Sequence, residues 1–288
     1  MSERGPKYDR RQYIKGGLAG VGGIALAGCL GDSDSDDTSA VGNGVPDEIV
    51  LGVDIPWAPF TYRNTDDEFD GIDIDMLTWI FDEMDQDYTI QEVAFDTFIQ
   101  NLQNGDFDIF ASAVSPTEER EEVIAFSDPH IESWHTAATL DVYDIDSVED
   151  IRGETMAVQS GTLAQDIAEE RLGEEMLDGE VSFDAYDDME GVINALLAGQ
   201  AVATVTNDLT LQRFMIEHEN LELIEDVGPA EEGHDNPPDY VGLRVGEMAY
   251  GFRQEDEELV EMINEGIEMA EEEGILDGAI DNHVVTDF

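Results

Sequence analysis

An α/β fold resting mainly on parallel sheets is predicted by three features of the sequence. From Val45 onward, short β-rich runs alternate with segments whose apolar residues recur at helical spacing, the pattern of strand–helix–strand units. Glycines punctuate the changes of period, as in "LQNG", "QSGTL" and "LAGQ". Hydrophobic residues are 41% of 288, enough to bury a sizeable core.

The elements follow in order. "EIVLGVDI" is a β-rich run and reads as the first strand. "GIDIDMLTWIFDEMD" begins with strand-like alternation, which sets Asp73 and Asp75 on one face of a strand. It then sets Met76, Leu77, Ile80, Phe81 and Met84 at helical spacing. "TIQEVAF" reads as a strand. "DTFIQNLQNG" reads as a helix, with Asp96 as N-cap and Gly105 just past its end. "FDIFASAV" is a strand and "SPTEEREEVI" a capped helix start. "ETMAVQSGTLAQDIAEERLG" reads strand, glycine turn, helix, and "DMEGVINALLAGQAVATVT" helix, turn, buried strand. "DEELVEMINEGIEMAEEEGIL" closes the chain as a long helix.

The charge balance excludes one class of partner. Asp and Glu number 70 against 12 Lys and Arg. Two acids (Glu3, Asp9) and five bases (Arg4, Lys7, Arg10, Arg11, Lys15) precede Cys29, so 68 acids and seven arginines follow it. Nucleic acid, whose phosphates require Lys and Arg, is excluded as a partner. The acids are spread along the chain. At multimolar salt the screening length falls to about 3 Å or less, and the self-repulsion of such a surface is largely suppressed. The composition therefore reads as salt adaptation, of a haloarchaeal-like kind.

Cys29 is the single cysteine, so no internal disulfide exists and the thiol needs another explanation. Upstream, "DRRQYIK" resembles a twin-arginine export signal. "GGLAGVGGIALAG" is an apolar segment of signal-peptide length, and "LAGC" resembles a lipobox. Residues 1–29 are thus expected to be a lipoprotein signal peptide, with Cys29 lipidated. "GDSDSDDTSAVGNG" follows, and residues 30–45 read as a flexible, self-repelling tether. Its start is like a calcium loop, but Asp37 stands where the glycine is needed and Asn43 where the closing Glu is needed.

The body, residues 46–285, resembles the extracellular amino-acid-binding proteins of ABC importers, bacterial solute-binding protein family 3. "GVDIPWAPF" is similar to the family's first strand and aromatic turn. "DGIDIDMLTWI" is similar to its Gly-x-acid-x-acid signature, although Phe81 stands where a small residue is usual. The most specific block is "FDTFIQNLQNGDFDIFASAVSPTEEREEVIAFSDPHIES", with Thr117, Arg120 and "FSDP" at the family's spacing. "LAGQAVATVTND" and "YGFRQEDEELVEMINEGI" match later segments. The resemblance implies a two-lobed periplasmic-binding-protein-like fold of type II with a hinge. Lobe one would be built from 46–137 and 246–288, lobe two from 138–245, with the crossings near residues 134–142 and 240–249. It implies a monomer on the outer face of the cell membrane, held by its lipid. Such a protein gives a free amino acid to an ABC permease and its ATPase subunit, with no cofactor and no metal.

What the resemblance implies of the site can be set against the chemistry of the residues. An amino acid presents a carboxylate, an ammonium and one variable group, and each must be met in a buried cleft. Arg120 matches the carboxylate ligand, and its planar fork suits two hydrogen bonds to one carboxylate. Ser115 and the backbone near Ala113 match further contacts, with a helix N-cap as the alternative for Ser115. Thr162 and the backbone at Leu163 match the opposing lobe's contact, again with capping as the alternative. The family's ammonium-binding acid falls on Asn207, with Asp208 next, and Asp208 carries the formal countercharge. Trp57 and Phe95 match two aromatics that sandwich the ligand, core packing being the alternative. Asp54 matches an acid that meets a polar or cationic side-chain tip, a solvated carboxylate being the alternative. Phe60 packs against the lobe.

Chemistry by bond-making has no motif here. His130, His135, His218, His234 and His283 show no metal-ligand spacing and read as surface or packing residues. No P-loop, GxSxG elbow or cysteine nucleophile occurs. Two rivals stand beside amino-acid capture, a dehydratase-like enzyme on the same fold and a sensing module for a signalling receptor.

Overall fold

The computed structural model describes residues 44–224 and 242–284. The export signal, Cys29, nearly all of the acidic tether and the start of the return crossing near Tyr240 lie outside the described residues.

One half of the fold begins with β1 (Glu48–Val53), a β-branched run with Ile49, Leu51 and Val53 fully buried. A small ribbon, β2 (Tyr62–Arg63) with β3 (Phe69–Asp70), leads into α1 (Ile72–Glu83). Here the structure corrects the expected alternation, because the helix begins at Ile72 and Asp73 and Asp75 occupy its first turn, where free N–H groups favour acids. Gly71 takes a positive φ of 127° just before it, and a side chain there would strike the Phe60 carbonyl. β4 (Asp87–Glu92) runs parallel to β1 and ends earlier than "TIQEVAF" implies, since Phe95–Thr97 form a 3-10 turn that contains Asp96. α2 (Phe98–Asn104) ends at Gly105 with φ 79°, as the glycine predicts. β5 (Ile109–Val114) is buried at every residue and leads to the short helix α3 (Glu118–Glu121) and β6 (Ala125–Phe126).

The chain then enters β7 (Ile131–Leu140) and a second half. There β8 (Thr155–Gln159) turns at Gly161 into α4 (Leu163–Asp166), which continues as a wider π-helical stretch over Ile167–Met176. β9 (Ser182–Tyr186), α5 (Met189–Leu197), β10 (Ala203–Asn207), α6 (Asp208–Glu217) and β11 (Leu221–Leu223) complete it. β12 (Gly242–Phe252) returns to the first half, where α7 (Glu257–Glu272) and α8 (Ile275–His283) pack.

The strand order is β4-β1-β5-β12-β7-β10-β8-β9, with β6 on β12 and β11 on β7. The outer pairs are parallel, as the alternation predicts. The centre is antiparallel, because β7 leaves the first half and β12 comes back beside it, from Ile131↔Met248 to Thr136↔Gly242. The sheet is thus mixed. β12 uses Gly242–Met248 on β7 and Ala249–Phe252 on β5 and β6, so both halves share these two strands. Each half has its own apolar core. Ile49, Leu51, Leu77, Ile80, Phe81 and Ile263 gather in the first, and Val158, Ile167, Leu172, Val205 and Leu243 in the second. Phe60 is fully buried, as expected.

Substituting Gly71→Ala tests how α1 is seated. The added Cβ would lie 2.2 Å from the Phe60 carbonyl oxygen, backbone that cannot turn aside. The variant should lose about 3 kcal/mol or more of stability in urea unfolding at high salt. An unchanged midpoint would contradict this seating.

Candidate functional site

The ends of β5 and β10, the turn after β8 and the middle of β7 meet at one cleft. Its wall is made by Trp57, Phe95, Ala113, Ser115 and Arg120 from the first half, and by Thr162, Leu163, Thr206 and Asn207 from the second, with His135 and Met248 from the shared strands. This is where strand ends in α/β sheets leave room for ligands. The cleft is nearly shut, with about 20 Å³ open to the centre of a water molecule.

Arg120 is brought in by α3, whose N-cap is Thr117, the hydroxyl accepting from the Arg120 N–H at 3.4 Å. Ser115 therefore is not the cap, and it sits in the wall instead. The Arg120 guanidinium is buried. It donates to the Ser115 carbonyl at 2.8 Å and, across the cleft, to the Gly161 carbonyl at 3.0 Å. It lies 5.4 Å from the Phe95 ring centre and 5.7 Å from that of Phe98. Burial pulls its pKa down to about 10, with Asp166 and Glu119 pulling it partly back, so it stays cationic at neutral pH. Other arginines behave differently. Arg63, Arg152, Arg213 and Arg253 each touch a carboxylate, at 2.6, 2.9, 2.8 and 2.7 Å. Among the described residues, no acid pairs with Arg120 in this way. A guanidinium has five N–H donors, and carbonyls take two of them.

Trp57 and Phe95 stack directly on one another, ring centres 5.1 Å apart and planes 25° from parallel. They form one continuous wall here, with no gap between two plates. Phe98 and Phe110 stack on each other at 4.2 Å and meet Phe95 tilted and edge-on, at 5.3 and 5.8 Å. The Trp57 indole N–H is buried and has no partner among the described residues.

Ala113, next to last in β5, takes a left-handed conformation, φ 47°, which for a residue with a Cβ costs about 1–2 kcal/mol. Its N–H points inward and donates to the Asp73 carboxylate at 2.8 Å. Next to it, the Ser112 hydroxyl accepts from the Asp54 N–H at 2.8 Å and bonds the Thr61 hydroxyl at 2.8 Å. This ties the first strand to the fifth beneath the aromatics.

In the second half, Thr162 caps α4. It accepts from the Gln165 N–H at 3.2 Å and donates to the Gln159 carbonyl at 2.9 Å, and it lines the cleft as well. Leu163 lines it beside Thr162. Asn207 caps α6 through its side-chain oxygen, 2.8 Å from the Thr210 N–H, and also lines the cleft. Asp208 lies one residue on, outside the lining, with a carboxylate oxygen 2.9 Å from the Leu209 N–H. Asp54 is likewise buried beside the site and outside its lining. Burial pushes its carboxyl up to about 6, nearby Asp188 and Asp96 add to this, and the Phe95 and Ile55 N–H groups oppose it.

One histidine goes beyond the surface or packing reading, and two others are packed within the fold. His135, on β7, lines the cleft, and burial with Arg244 nearby holds its ring down to about 4, hence neutral at pH 7. His130 is fully enclosed, 3.1 Å from Asp73. His283 lies 2.9 Å from Asp75 and 3.8 Å from Asp70, with Tyr62 at 2.8 Å on its other nitrogen. Asp70, Asp75 and His283 could hold an ion, a grouping hidden by some 200 residues of sequence separation. The hydrogen bonds to Asp75 and Tyr62 account for their arrangement by themselves. No sequence spacing marks His135, because what brings it to Asn207 is antiparallel pairing of β7 with β10. Among the described residues, no helix is long and apolar enough to cross a membrane.

Comparison with known proteins gives a consistent picture. The family model described as bacterial extracellular solute-binding proteins, family 3, matches residues 49–285. The arginine-binding extracellular protein ArtP of Bacillus subtilis is 23% identical over 258 residues, covering 88% of this chain and 90% of ArtP. The ABC transporter glutamine-binding protein GlnH of the same organism is 30% identical over 183 residues, 62% of this chain and 64% of GlnH. Among solved structures, an ancestral amino-acid-binding protein described as a precursor of cyclohexadienyl dehydratase superposes with TM-score 0.68 at 21% identity. That match covers 83% of this chain and 95% of the other.

Asp54 makes a pH signature measurable. Its folded pKa is raised, so the stability it gives is complete below about pH 4 and is lost as pH rises through about 6. Asp54→Asn should remove that loss and exceed wild type by on the order of 2 kcal/mol at pH 7, with little difference at pH 4. Urea midpoints from pH 4 to 8 decide, and parallel profiles for the two proteins would refute the burial of this carboxylate.

Proposed function

The chain belongs to the bacterial extracellular solute-binding proteins, family 3, and from that membership we propose that it captures a free amino acid between its two halves and delivers it to an ABC permease. The observation that carries this is Arg120, a buried cation facing a cleft with carbonyl oxygens and no paired acid among the described residues. A carboxylate entering the cleft would supply the missing countercharge, and a planar fork accepts it in two hydrogen bonds. Ser115 would complete that end, and the Ala113 backbone, whose N–H is held by Asp73, would meet the ligand through its carbonyl. Thr162, with the Leu163 backbone, would meet the carboxylate from the opposite side. Asn207, or Asp208 behind it, would take the ammonium. Trp57 and Phe95 would line one side of the side chain, polar or basic ones favoured, with Asp54 buried nearby.

The cleft has room for about one water, so the cycle requires the halves to part, admit the amino acid and close. β7 and β12 are the connections about which that motion would occur. No bond is made or broken in this cycle. The closed form would present both halves to a membrane permease, whose ATPase works on the inner side. We propose further that Cys29 carries a lipid anchor after twin-arginine export, and that the acid excess adapts the monomeric body to high salt.

Titration calorimetry in multimolar salt against arginine, glutamine, histidine and the other common amino acids tests capture. At least one should bind with micromolar affinity or tighter, and Arg120→Ala should weaken it by about 100-fold or more. Silence across the panel from folded protein, or full affinity in folded Arg120→Ala, would sink the reading. For the anchor, Cys29→Ser should be released into the medium, and a variant still held on membranes would count against lipidation.

A further inference from the structure

The acid signature in α1 is left over once the cleft has been assigned. Asp75 turns to His283, but Asp73 is fully buried and points at the cleft's wall from behind. One of its oxygens accepts the Ala113 N–H at 2.8 Å, and the other lies 3.1 Å from the His130 ring nitrogen. Both side chains are 0% exposed. The His130 ring stacks on Tyr250 of β12, centres 4.2 Å apart, and its backbone N–H donates to the carbonyl of Met248, itself in the cleft wall. A buried carboxylate is costly to keep, and an apolar residue would fill a plain core position at less cost.

Ala113 supplies the reason for it. Five non-glycine residues among those described have positive φ. Four are aspartates, Asp67, Asp85, Asp144 and Asp178, a residue type that tolerates this region. Ala113 is the fifth and has no side chain to support the conformation. It also lies in the wall of the cleft. With its N–H turned inward to Asp73, the carbonyl is the polar group this residue has left to offer the cleft.

We infer that Asp73, braced by His130, is a positioning residue. It holds Ala113 in the left-handed conformation and thereby shapes the cleft wall for its ligand. The ligand half of this inference rests on the amino-acid-capture reading. The conformational half does not.

The test uses the full protein with Asp73→Ala, Asp73→Asn, Ala113→Gly and the double variant Asp73→Ala/Ala113→Gly. Dissociation constants for L-arginine, L-glutamine and L-histidine are measured by calorimetry, and a ligand-free crystal structure of Asp73→Ala is solved. Asp73→Ala should weaken the bound amino acid about tenfold or more and leave Ala113 at negative φ. Asp73→Asn keeps an acceptor for the Ala113 N–H, so it should stay within about threefold of wild type. Glycine takes positive φ without strain, so the double variant should recover to within about threefold of Ala113→Gly alone. A purely structural role would not be rescued by a glycine at 113. Folded Asp73→Ala with wild-type affinity or with Ala113 still at positive φ would overturn the inference. So would a double variant no better than Asp73→Ala. Should Asp73→Ala not fold, a large loss of affinity in folded Asp73→Asn, its acceptor kept, overturns it too. Wild type silent toward all the common amino acids, with Ala113 displaced in Asp73→Ala, defeats the capture reading and leaves the hold of Asp73 on Ala113 standing.

Discussion

A guanidinium held out of water by two carbonyls is the constraint on which the cleft depends. Arg120 is one of seven arginines that follow Cys29 among 68 acids, yet its contacts are the Ser115 and Gly161 carbonyls and two aromatic faces. Burying such a charge without an anion is costly, and the surrounding structure bears that cost. Thr117 fixes the start of α3, Phe98 and Phe110 stack behind the ring wall, and the turn at Gly161 offers its carbonyl from the far side. The guanidinium keeps donors to spare, and on the proposed reading an anion would take them.

The Gly161 contact also explains why the cleft is nearly shut. Arg120 reaches from one half to the other with a hydrogen bond to a neutral carbonyl. A carboxylate competing for the same fork would replace that bond by a bidentate pair in which both partners are charged. The two shared strands, β7 and β12, join halves that each hold an apolar cluster of their own, and Leu209 of the second half packs on the cluster that contains Trp57 and Phe95.

Much of this was legible in the sequence, and the failures have physical causes. Local runs such as "EIVLGVDI" and "FDIFASAV" became β1 and β5, because period and β-propensity are local properties. The antiparallel centre was not legible, since pairing of β7 with β12 joins residues over a hundred positions apart. Asp73 was misread as a strand residue because the helix starts at Ile72, after a glycine whose φ no pattern announces. Arg120, Ser115, Thr162 and Asn207 come together in the lining. Asp208 falls outside it one residue past Asn207, and Asp54 is buried outside it three residues before Trp57, which side a residue faces there not being encoded in spacing. His135 was hidden for the reason the sheet centre was, its position being set by register with Asn207.

A crystal structure of the protein with a bound amino acid tests the central claim most directly. The account predicts the ligand's carboxylate on the Arg120 guanidinium, with two donors to its oxygens and the Gly161 contact given up. An amino acid bound elsewhere, with Arg120 still on the Ser115 and Gly161 carbonyls, would contradict it.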